Sequence, residues 1–122
     1  MSTEPAPLSL ADAVHRAALA CDPTGRSASG GDAIARFEDR DEPIAGIADL
    51  DQVLAEEFGA LDPQEEDPVM QMIRATTLYL GFRRDNSGAG DEELLRLAAR
   101  AEYDGNPPEL VRDWLTERGV TL

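Results

Sequence analysis

His15 is the only histidine and Cys21 the only cysteine. They are the residue types that zinc binding and thiol nucleophiles would draw on. A zinc site needs four ligands, drawn mostly from those two residue types. Cys21 stands six residues after His15, roughly 240° around a shared helix, so the pair cannot converge on one ion. Asp12 and His15 have the i, i+3 spacing of half a carboxylate-bundle metal site, but the other half requires a second histidine. Cys21 falls near the end of a helical run, where the helix dipole opposes a thiolate. It reads as a small buried hydrophobe.

Two glycine-containing loops invite comparison with ligand cradles. The stretch from Asp85 has acid or hydroxyl side chains at the first and third positions of a calcium loop. It then places Ala89 and Arg96 where an oxygen ligand and a bidentate Glu are required. Residues 25–31, GRSASGG, lack the Gly-Lys-Ser/Thr ending that holds a nucleotide phosphate, and Asp32 follows, which would repel one. All 11 basic residues are arginine, so neither a Schiff-base nor a phosphate-binding lysine is available. Adjacent carboxylates abound (Glu56-Glu57, Glu65-Glu66-Asp67, Asp91-Glu92-Glu93). Acid–base work needs two whose environments drive their pKa values apart, and neighbours on a polar helix face share water instead. No catalytic constellation, cofactor site or metal site is expected.

These residues sit on a chain that reads as all-helical. In the first run, 10–21, Leu10, Val14, Ala17 and Cys21 share a face, and Ser9 caps it. Residues 24–31 read as a loop and 32–39 as a short helix around Ile34 and Phe37. Pro43 starts a third helix, with Ile44, Ile47, Leu50, Leu54 and Phe58 on one side and Gly59 as its stop. Pro68 starts a fourth, reaching about Arg84. It has apolar residues around most of its circumference, which implies burial on all sides or a dimer interface. Residues 86–90 form a loop. The run 91–103 follows with Leu94, Leu97, Ala98 and Ala101 inward. Asn106 and Pro107 open the last helix in an N-x-x-E box, with Leu110, Val111, Trp114 and Leu115 inward. No alternating run suggests a strand.

The resulting expectation is a compact bundle of five to six helices around one central buried helix, closed by a C-terminal helical hairpin. Residues 1–8 would be a flexible N-terminus and 9–122 one domain. At 122 residues a single core suffices, and with aromatics at 5% it must be built mainly of aliphatic side chains. One cysteine and no apolar stretch of bilayer length favour a cytoplasmic protein.

Charge bears most directly on function. The chain carries 25 acids against 11 arginines, a net −14. The excess is spread evenly, with 12 acids to 4 arginines in residues 1–61 and 13 to 7 in residues 62–122. Such a field repels phosphate and attracts basic partners. The run 94–119 resembles a helix-turn-helix unit. Small Ala98 and Ala99, turn Gly105, and apolar Val111, Trp114 and Leu115 fall near that motif's packing positions. The resemblance covers about a fifth of the chain, and the groove-facing side would hold Glu109, Arg112, Asp113, Thr116 and Glu117. The segment 91–118 carries 8 acids against 4 arginines, the reverse of what a duplex reader needs. The expected function is therefore non-enzymatic protein–protein interaction, regulatory or adaptor in kind, with a basic partner and possible homodimerisation. The alternative is a transcriptional regulator reading DNA through the hairpin. Candidate partner-binding residues are the pair Arg83 and Arg84, which could anchor an acidic group, and Arg112 and Asp113 on the last helix.

Overall fold

The computed structural model describes residues 8–25, 28–58, 68–82 and 90–121. Six α-helices occur among them: α1 (Leu10–Cys21), α2 (Ala28–Phe37), α3 (Leu50–Phe58), α4 (Pro68–Phe82), α5 (Asp91–Tyr103) and α6 (Glu109–Glu117). A 3₁₀ turn, Ile44–Gly46, precedes α3. No strand is present among these residues; the nearest thing is one isolated bridge between Ser9 and Pro43. The helices pack on one another around α4, which touches each of the other five. The bundle built on one central helix is thus what the hydrophobic pattern anticipated.

The start of α1 shows how the ends are satisfied. A helix leaves its first amide donors without internal partners. Here Ser9 Oγ accepts from Asp12 N at 3.0 Å. Leu10 N and Ala11 N donate to the carbonyls of Glu42 and Arg40 at 3.0 and 2.9 Å. The 40–44 segment is held in place by the same exchange, since Ile44 N donates to Leu8 O at 2.9 Å. At its far end α1 receives Arg118, whose Nη2 donates to Ala20 O at 2.8 Å while its guanidinium lies 5.1 Å from the Trp114 ring centre. Both ends of α1 are therefore closed by distant segments.

Several boundaries differ from the sequence expectation. Helix α2 begins at Ala28 rather than at residue 32, so Gly30 and Gly31 are helical. Packing overrides the loop-like composition here. Ala33 and Phe37 are fully buried, and Gly30 lies against the Asp22 side chain, where an added Cβ would sit 3.3 Å from its carboxylate. The expected helix from Pro43 is broken in two. Ile47 turns extended after the 3₁₀ turn, and Asp49 starts α3 afresh by accepting from Gln52 N at 3.2 Å. An aspartate is a strong cap, and its side chain starts the second helix here.

Helix α6 starts at Glu109, two residues later than expected, with Pro108 in the cap position and no side-chain cap. A proline disfavours helical geometry in the residue before it, so Pro108 prevents Pro107 from being the first helical residue. Asn106 does not cap the helix; its Oδ1 accepts from Arg112 Nη2 at 2.6 Å. The end of α6 follows the expected pattern. Gly119, at φ +77°, donates to Thr116 O, and Val120 N donates to Leu115 O at 2.9 Å. That is the paired closure of a Schellman motif.

The inward faces of the last two helices are rotated from the expected ones. Leu94, Leu95, Ala98 and Ala99 are buried on α5, while Leu97 is half-buried and Ala101 exposed. On α6, Val111 and Leu115 are buried, Trp114 is half-buried and Leu110 is exposed. Helix α6 lays this face mainly on α4. The expected stops at Gly59 and Arg84, residues 85–89 of the second loop and calcium-like stretch, and residues 1–7 lie outside the described residues; Gly90 is the cap residue of α5.

Candidate functional site

Helix α4 has two apolar faces. The inner one carries Met72, Ile73, Thr76, Thr77 and Leu80, all buried in the core. Its two threonines differ. Thr77 Oγ1 donates to Ile73 O at 2.8 Å, whereas the buried Thr76 hydroxyl, near the Cys21 thiol of α1, has no hydrogen-bond partner among the described residues. Burial pushes that thiol far above its ordinary pKa, with nearby Arg118 opposing the shift, and Cys21 packs as a core residue.

The other face of α4 carries half-buried Leu78 and Tyr79 and exposed Phe82, with Ala75 buried at its base. Ala75, Leu78, Tyr79 and Phe82 stand at i, i+3, i+4 and i+7, which is one side of a helix. With Leu97, Arg100, Ala101 and Glu102 of α5 it walls a groove of about 530 Å³ open to solvent. Phe82 stands at one end with 77% of its surface exposed. Leu97 and Ala101, assigned to the core by periodicity, are displaced to this groove because Leu95 and Ala99 took the core side.

Arg74 closes the other end. Its Nη2 lies 2.7 Å from Glu102 Oε1 and its Nη1 3.2 Å from Asp51 Oδ1, tying α3, α4 and α5 together. Next to this pair, burial pushes the Tyr103 phenol up to about 12, with Glu102 adding to the shift and Arg74 opposing it. The fold therefore favours the neutral phenol. The unfolded chain ionises near the ordinary value of about 10, so stability should fall as pH rises from about 10 through 12. Phenolate absorbance in a Tyr79→Phe variant isolates Tyr103. It should titrate well above a free tyrosine, and urea midpoints should drop across the same window.

The arginines are mostly spent inside the molecule. Arg16 pairs with Asp91 at 2.9 Å, Arg40 with Glu42 and Glu57 at 2.6 and 2.8 Å, and Arg96 with Glu93. Arg40 holds the Glu42 carboxyl below its usual range. Arg36 donates to Glu57 O at 2.7 Å. Arg100 alone among the described arginines has no ion-pair or hydrogen-bond partner within the described residues.

Of the residues singled out by sequence, Arg112 and Asp113 are exposed on α6, away from the groove lining, and Arg83 and Arg84 lie outside the described residues. The outer face of α6 presents Glu109, Asp113 and Glu117 one turn apart, all exposed. Among the described residues no three His, Cys, Asp or Glu side chains are grouped to hold a metal ion. No helix there is long and apolar enough to cross a membrane.

Fold and surface define an all-helical bundle with an open apolar groove on its central helix. No family model matches the chain, and no curated protein and no solved structure matches it.

Proposed function

We propose that this protein is a non-enzymatic regulatory or adaptor protein that acts by holding a basic protein partner. One observation carries the reading. The chain carries 25 acids against 11 arginines, a net charge of −14, so its surface offers carboxylates in excess. The charged groups lining the groove do not suggest catalysis, since its single carboxylate, Glu102, is committed to Arg74. DNA reading by the hairpin fits poorly, because the three-acid face of α6 would meet phosphate. A cytoplasmic location belongs to the same reading, resting on a single buried, unpaired cysteine.

The test is retention of an arginine- and lysine-rich polypeptide on the immobilised protein. Capture at about 0.05 M salt and release at about 0.5 M is expected, since screening shortens the reach of surface charge. Failure to capture at the lower salt overturns the reading, and a gel shift with duplex DNA at that salt would replace it.

A further inference from the structure

We infer that α6 is a flap that opens as a unit while the other described helices stay packed, hinged at Asp104 and Gly105 and latched shut by Arg118. This is a conformational device of the fold, and it does not depend on the partner proposed above.

The hinge shows in the backbone. Asp104 and Gly105, between α5 and α6, stand at φ +53° and +79°. Glycine reaches the left-handed region without strain, and aspartate is among the few other residues that visit it. Pro107 and Pro108 follow, and their rings fix φ, so the turning point is confined to the residues before them. Hinges are a few such positions at the ends of elements, where the backbone can absorb a change of direction.

The latch lies at the opposite end of α6, about 14 Å away along the helix. Arg118 Nη2 donates to Ala20 O at 2.8 Å, and its guanidinium rests 5.1 Å from the Trp114 ring centre. A cation suits the C-terminal end of α1, whose last turn has no basic residue of its own. Among the described residues this is the one hydrogen bond from residues 109–121 to another helix, since Arg112 bonds to Asn106 and Thr116 to Arg112.

Between hinge and latch the packing is thin. On α6 only Val111 and Leu115 are buried, with Val120 just beyond it, whereas α1 and α4 bury seven residues each. Two open clefts, of about 470 and 230 Å³, adjoin the closing turn. Gly119, Val120 and Thr121 line both, with Arg112 and Thr116 in the larger and Glu92 and Arg96 in the smaller. Few buried contacts are what allows a segment to open at less cost than global unfolding. Opening uncovers Val111 and Leu115 and the side of α4 on which they rest.

Residue-resolved hydrogen exchange on the full chain, with no partner present, tests the flap. The amides of Leu115 to Arg118 should exchange at least tenfold faster than those of Val14 to Ala18 and Met72 to Thr76, once intrinsic rates are divided out. Arg118→Gln should raise α6 exchange about tenfold further and shift the emission of Trp114, the only tryptophan, to longer wavelength. Rates within α1 and α4 should not change. Gly105→Ala strains the closed joint, although the added methyl meets no atom within 4 Å; it should speed α6 alone, severalfold.

Alpha-helix α6 exchanging as slowly as α1 and α4 overturns the flap. Arg118→Gln that leaves α6 unmoved, or that speeds every helix alike, overturns the latch. The same outcomes with Gly105→Ala overturn the hinge.

Discussion

Replacing Phe37 by alanine is expected to lower the unfolding free energy by about 3–5 kcal/mol. Phe37 is fully buried at the end of α2, and its ring lies 5.2 Å from that of Phe58 at the end of α3, tilted 44°. Truncation removes the transfer free energy of a whole ring and leaves a cavity between two helix ends. Neither end can collapse easily, because Arg36 and Arg40 anchor the same corner to Glu57. A domain of this length holds roughly 6–18 kcal/mol in total, so the loss takes a large share. Urea denaturation should show a lower midpoint with the slope little changed. A loss below about 1 kcal/mol would mean that α2 is not packed as described.

The second large effect comes from adding volume. Ala17→Leu should cost about 1–3 kcal/mol by overpacking. Ala17 is fully buried one turn before Cys21, whose thiol lies near Thr76 of α4. Ala13 and Ala20 are also buried on α1, so the side of this helix toward the core is built of small residues. The contact between α1 and α4 is the most extensive helix pair in the molecule, and small side chains let the two backbones come close. A leucine at position 17 must push α1 outward, disturbing both closed ends of that helix. In contrast, leucine at nearby exposed Asp12 should change stability by less than about 0.5 kcal/mol. The difference between the two midpoints measures how tight the α1–α4 contact is.

How much of this was legible in the sequence depended on whether the signal was local. The cap at Ser9, the stop at Gly119 and the start at Pro68 depend on neighbours a few residues away, and each stands where it was read. The errors arose where distant contacts decide or start signals compete. The glycines of α2 look like a loop until Ala33 and Phe37 are seen buried. The break at Ile47 coincides with Asp49 capping a fresh helix, a second start signal that the apolar spacing from Pro43 concealed. The late start of α6 was readable, since two consecutive prolines restrict the first, but Asn106 offered a competing cap.

The groove was half visible. Apolar residues all around α4 pointed to a second covered face or to a partner. Which residues of α5 would line it was missed, because Leu94, Leu95, Leu97 and Ala98, Ala99, Ala101 fit either of two rotations of the helix. The exposure of Phe82 could not be read from periodicity at all.

The central claim is that the carboxylate excess of the surface is what holds a basic partner. Titration of the full chain with an arginine- and lysine-rich polypeptide, repeated as salt is raised, tests it most directly. The account predicts binding at about 0.05 M salt that is lost by about 0.5 M. An interaction absent at the lower salt, or unchanged at the higher, would contradict it.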